Sequence, residues 1–172
     1  MQLGVDRVRV RVPATSANLG PGFDALGLAL GHHDELTVRA LGSARVEVVV
    51  RGEGAGSVPT DESHLVVRAI RRALDHVGAP QVGLALECDN HIAHGRGMGS
   101  SAAAVVSGLF AARGLIAEPE ALDDQTILAL ATSFEGHPDN AAPAILGGAT
   151  VAWMTGDRAR AARLTLDPDV TP

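Results

Sequence analysis

A chain of 172 residues is long enough for one ordinary domain or for a large part of a bigger protein. It is 46% hydrophobic but only 2% aromatic, so its core has to be assembled from Ala, Val, Leu and Ile. A net charge of −6 argues against the broad basic face of a nucleic-acid binder, and no run reaches the ~18 apolar residues of a membrane span.

Met1 to Asp6 lacks the basic and apolar regions of a signal peptide, which sets a cytoplasmic expectation. Arg7 to Val12 alternates Arg and Val with period two, the pattern of a strand with one solvated face. Pro13 is expected to end that strand, and Ala14 to Asp24, dense in turn formers, reads as a loop. Glu35 to Ala40 and Arg45 to Arg51 read as two more strands joined at Gly42-Ser43, which together suggest an antiparallel meander. Asp61-Glu62-Ser63 offers caps for a helix over His64 to Val77, apolar at Leu65, Val66, Ala69, Ile70, Ala73 and Leu74. Val82 to Cys88 is a strand in which the single cysteine reads as a small hydrophobe. With one cysteine there is no internal disulfide and no cysteine-rich zinc site. Ser100 to Arg113 is a helix apolar enough to be buried. Pro119 opens another that must stop near Gly136-His137-Pro138. Ala141 to Leu146 fits one further helical turn and Ala149 to Met154 a strand. Asp157 to Arg163 reads as a solvated stretch, with no closing element after it.

Between the strand and the buried helix runs His94-Gly95-Arg96-Gly97-Met98-Gly99-Ser100-Ser101-Ala102-Ala103-Ala104. Two readings fit: a flexible turn, or a phosphate cradle in which glycines bring the backbone close to a ligand and the helix N-terminus supplies N–H donors. The serine pair favours the cradle, because one hydroxyl can cap the helix while the other stays free for a metal or phosphate oxygen. All fourteen basic residues are Arg, so a Walker A loop is excluded for want of its lysine, as is Schiff-base chemistry.

Two more polar clusters lie at element ends, Thr15 to Asp24 and Glu135-Gly136-His137-Pro138-Asp139-Asn140. The last packs two carboxylates, an imidazole and an amide into six residues. It suits a site, and it also fits a helix C-terminus followed by an Asp or Asn cap. Together the clusters outline phosphoryl transfer, which needs a nucleotide held, a hard cation at its phosphates and a hydroxyl placed in line.

Pro13 through Asp24, the glycine-serine loop and Glu135 through Asn140, in that order, resemble the homoserine kinase family of the GHMP small-molecule kinases. The resemblance implies an α+β fold. Residues 1–155 would form a ribosomal protein S5 domain 2-like, ATP-binding N-terminal domain, and 156–172 a connector towards a C-terminal domain that this chain lacks. It implies ATP-dependent phosphorylation of the L-homoserine hydroxyl to O-phospho-L-homoserine, in threonine biosynthesis. Asn18, Asp24, His137, Asp139 and Asn140 would surround homoserine, with Asp24 facing its ammonium and Asp139 positioning rather than acting as a strong base. ATP would lie along Ala93, His94, Gly95, Arg96, Gly97, Met98, Gly99, Ser100, Ser101, Ala102 and Ala103, with His64 near the adenine. Glu135 and Ser100 or Ser101 would face Mg²⁺. The expected partner is L-homoserine, without nucleic acid or membrane; a homodimer stays open.

Ala93 stands where that family usually has proline, and Met98 where it has leucine, so the loop's start should be slightly looser. His64 stands where many relatives carry asparagine. Because the family continues into a second domain, the chain alone is expected to be poorly active and to expose apolar surface that promotes aggregation. Another GHMP kinase and a non-catalytic, S5-like nucleotide-binding module are the alternative readings.

Overall fold

A computed structural model describes residues 1–167 and 169. The Arg-Val alternation does form a strand, with Arg7, Arg9 and Arg11 exposed and Val12 fully buried. That strand, β1 (Arg7–Ala17), does not stop at Pro13. The missing N–H of proline is accommodated where the register with β2 (Leu26–Leu41) shifts between Pro13 and Thr15, and the strand then continues through Thr15, Ser16 and Ala17. The expected loop is thereby shortened to the segment between Ala17 and Leu26.

β2 is the organising strand. One edge pairs antiparallel with β1; the other pairs antiparallel with β4 (Gly83–Asn90) over Glu35–Leu41 and with β5 (Ala149–Thr155) over Leu26–Leu28. The expected meander is overturned. β3 (Val46–Gly52) pairs with β4, in parallel, so β4 lies between it and β2. A parallel pair needs a crossover, and α1 (Leu65–His76) supplies it. Residues 158–164, expected to be solvated and part of a connector, form the edge strand β6 (Arg158–Leu164), antiparallel to β5. The tail beyond 169, expected to lack a closing element, lies outside the described residues.

Among the described residues, four α-helices complete the α+β fold. α1 buries Val66, Val67, Ala69, Ile70, Ala73 and Leu74. α2 (Ser100–Leu115) is buried nearly all round and packs against α1, β1 and the third helix. Gly108 permits the α1–α2 contact, since a Cβ there would lie 2.7 Å from the Val66 carbonyl oxygen and 2.8 Å from Ala69 Cβ. The helix expected from Pro119 is divided: a 3-10 turn covers Pro119–Leu122, and α3 (Asp124–Glu135) starts afresh at Asp123, whose carboxylate accepts the Thr126 N–H at 2.7 Å. Gly136, in the left-handed conformation, ends α3, and α4 (Ala141–Leu146) leads into β5. Among the described residues, no helix is long and apolar enough to cross a membrane.

Candidate functional site

The three sequence motifs meet at one point. The Thr15 hydroxyl, fully buried, donates to Asn140 Oδ1 at 2.9 Å, and the Thr15 N–H donates to the Met98 carbonyl at 3.0 Å. Gly99 lies against both side chains, because a Cβ there would sit 1.9 Å from Thr15 Oγ1 and 3.0 Å from Asn140 Oδ1. A strand, a loop and a turn distant in sequence are thus joined through side chains, which a chance gathering of turn residues does not require. Thr15 was not singled out in the sequence, because a threonine inside a turn-rich motif carries no local signal of its partner.

The loop itself has the backbone its glycines suggested: Gly95, Gly97 and Gly99 take φ values of 66°, 72° and 65°. The serines behave differently from expectation. Gly99 occupies the position before α2, and no side chain caps that helix. The Ser101 hydroxyl instead donates to Glu135 Oε1 at 2.6 Å. Ala103 N–H already bonds Gly99 O at 2.8 Å, which leaves the N–H groups of Ser100, Ser101 and Ala102 ahead of the first intrahelical bond and facing the loop. The side chains of Ala102 and Ala103 are buried, so only backbone is available there. His94 and Arg96 are exposed, and Ala93 and Met98 are half-buried. The start of the loop is fixed by Asp34, whose Oδ1 accepts the N–H groups of His91 and Ile92 at 2.6 and 2.8 Å. Asp34 also escaped the sequence reading, although a carboxylate within a strand bearing two histidines was a visible irregularity.

Beside the loop lies a cavity of about 350 Å³, lined by Val58, Pro59, His64, Leu65, Ser100, Ser101, Ala104 and Ser107, among others. His64 is only 5% exposed, and its Nδ1 has no hydrogen-bond partner among the described residues. Burial lowers its pKa, with nearby Asp61 opposing that shift, which favours the neutral ring. A mostly apolar slot ending at a helix N-terminus suits a planar base carrying phosphates.

The third motif divides into layers. His137 is 46% exposed, while Asp139 behind it is fully buried and takes the His137 Nδ1 hydrogen bond on Oδ1; Asp139 Oδ2 has no partner among the described residues. Asn140 precedes α4 but makes no capping bond, so the cap reading of this motif does not describe it. Backbone packing keeps the motif against the sheet: a Cβ at Gly27 would lie 2.3 Å from the Asp139 carbonyl oxygen. In the first motif, Asn18 and Asp24 are exposed and left-handed, with φ 59° and 54°, and Asn18 Oδ1 accepts the Asp24 N–H at 2.7 Å. They bond to each other and to none of the other candidate side chains among the described residues. No group of three or more His, Cys, Asp or Glu side chains that could hold a metal occurs among those residues.

Residues 64–148 match the family described as GHMP kinases N terminal domain. The chain is 56% identical over 165 residues to a homoserine kinase of Leifsonia xyli, covering 96% of this chain and 51% of that relative. It is 54% identical over 166 residues to one of Clavibacter michiganensis, with coverage of 96% and 52%. The crystal structure of a homoserine kinase from Cytophaga hutchinsonii superimposes with a TM-score of 0.79 at 29% identity, covering 97% of this chain and 54% of that one. The chain spans about half the length of the curated relatives it matches.

Proposed function

We propose that this chain, which belongs to the GHMP kinases by its N-terminal domain, contributes the ATP site and part of the acceptor site of an enzyme that phosphorylates the hydroxyl of L-homoserine. The observation that carries this reading is the junction of Thr15, Gly99 and Asn140, which sets the glycine loop beside the acceptor motif. Phosphoryl transfer is mainly a matter of such positioning together with electrostatic stabilisation.

In this reading the cavity beside His64 takes the adenine, and the loop Ala93–Gly99 with the free N–H groups of Ser100, Ser101 and Ala102 takes the phosphates. Ser101 and Glu135 bring two hard oxygens side by side, a donor pair that fits Mg²⁺ when phosphate oxygens and water complete its shell. Bound there, Mg²⁺ would neutralise phosphate charge. Asp139 orients His137, whose other ring nitrogen is left for the acceptor's polar groups. Asp24 offers a carboxylate to the acceptor's ammonium, and Asn18 fixes the turn that presents it. No strong general base is assigned, and Asp139, walled off from solvent, is a positioning group.

A chimaera in which this chain replaces the matching half of the Leifsonia relative tests the reading. With ATP and Mg²⁺ it should convert L-homoserine to its phosphate ester, seen by ³¹P NMR, and leave mevalonate and galactose untouched. The chain alone should bind MgATP but turn over poorly. A chimaera that is folded and binds MgATP yet phosphorylates mevalonate or galactose in preference would assign a different acceptor. Failure of the chain to bind MgATP would overturn the ATP site.

A further inference from the structure

A loop carrying left-handed Gly95, Gly97 and Gly99 is costly to order, because glycine loses more backbone freedom than other residues when it is fixed. How its ends are held decides how much of that cost is met before a ligand arrives. Downstream, the Met98 carbonyl accepts the Thr15 N–H at 3.0 Å, which ties the loop to β1. Upstream, β2 supplies the hold. Asp34 Oδ1 accepts the N–H groups of His91 and Ile92 at 2.6 and 2.8 Å, and the His91 carbonyl accepts from His32 Nε2 at 2.6 Å. Chemistry fixes the roles in these bonds, since a backbone N–H only donates and a carbonyl only accepts. The fully buried side chain of Ile92 pins the same point to the core. Between the two anchors, Ala93 to Gly97 make no backbone hydrogen bond to any helix or strand among the described residues.

We infer that Asp34, seconded by His32, is a positioning residue for the nucleotide: it holds the start of the glycine loop on β2 and so sets the loop ready for a polyphosphate. The inference rests on the ATP site proposed above. Asp34 also lines the cavity beside His64, so two roles have to be told apart, an anchor for the loop and a wall touching the ligand. Charge decides in favour of the anchor. A bare carboxylate beside a polyphosphate would repel it, whereas two backbone N–H groups converging on Oδ1 make charge-assisted bonds that draw the negative charge towards the chain. The anchor therefore acts on the phosphates through the loop's backbone, and the base and sugar are bound without it.

Asp34→Ala removes the acceptor, and Asp34→Asn keeps an oxygen there without the charge. With the chain titrated against MgATP and, separately, against adenosine, Asp34→Ala should weaken MgATP about tenfold and adenosine by no more than about twofold. Asp34→Asn should keep MgATP within about threefold of the wild type. The ¹⁵N heteronuclear NOE of Gly95 and Gly97 should fall in Asp34→Ala, with the helix and strand signals preserved. Equal weakening of MgATP and adenosine would make Asp34 a wall of the cavity or a general support of the fold, and overturns the inference. Unchanged MgATP affinity with unchanged glycine NOE values overturns it as well. Should Asp34→Ala fail to fold, His32→Phe removes only the bond to the His91 carbonyl and should show the same split between the two ligands on a smaller scale; no split there overturns the inference. A wild-type chain that binds no MgATP would instead count against the proposed ATP site, and the glycine NOE comparison would still decide whether Asp34 holds the loop.

Discussion

Gly99→Ala isolates the junction, because its penalty has two parts that a neighbouring glycine separates. A left-handed backbone costs an L-residue roughly 1–2 kcal/mol, and both Gly97, φ 72°, and Gly99, φ 65°, incur it. A Cβ at Gly97 meets nothing within 4 Å, so Gly97→Ala should cost that amount alone. At Gly99 the new methyl would lie 1.9 Å from Thr15 Oγ1, which has to swing away and break its bond to Asn140. Leaving the buried Thr15 hydroxyl unpaired adds about 1–3 kcal/mol. Gly99→Ala should therefore be less stable than Gly97→Ala by about 1–3 kcal/mol in urea unfolding followed by far-UV circular dichroism, with unchanged m-values. Equal losses for the two variants would mean that the contact at Gly99 is relaxed at little cost, and the argument for a rigid junction would fail.

Burial holds the His64 pKa below its ordinary 6.5, so the unfolded chain takes up a proton before the folded one does as the pH falls. This stabilising contribution is complete above 6.5 and is lost as the pH drops through the depressed folded value; His64→Gln should flatten the decline of stability below pH 6.5, and an unchanged slope would contradict it. Gly108→Ala should destabilise by about 1–2 kcal/mol in the same urea assay, because crowding against Val66 and Ala69 outweighs the helix propensity gained. A stabilised variant would show that α1 and α2 can move apart freely. Burial pushes the Cys88 thiol up to about 12. It should ignore Ellman's reagent at pH 8 in the folded chain and react fully in denaturant, whereas rapid labelling of the native protein would refute that burial.

Where local pattern and tertiary role coincide, the sequence was readable. The Arg-Val alternation of β1 and the apolar face of α1 both record a single buried side, and the alternating glycines do take positive φ. Pairing partners were not readable, since nothing in Val46–Gly52 tells it to lie beside β4 rather than β2. β6 was missed because its arginines suggested solvent, although Arg-Ala alternation with Ala159 buried is also how an edge strand looks. The candidate motifs were visible as dense polar clusters, but their connections were not. Ser101 suits a helix cap by type and reaches Glu135 instead, while Thr15 acquires meaning only once Gly99 and Asn140 are beside it.

The two-sided use of β2 has a consequence for how the chain comes into being. During synthesis, β1 and then β4 can dock as soon as they emerge, yet the edge at Leu26–Leu28 has no partner until Ala149–Val151 follows. That short edge adjoins the Asn18–Asp24 turn and lies under Asp139, so this part of the candidate site stays an open strand edge until residues 149–151 have emerged. An unpaired edge invites pairing with other nascent chains. The glycine at 27, which admits the Asp139 carbonyl in the finished fold, leaves that waiting edge without a side chain to shield it.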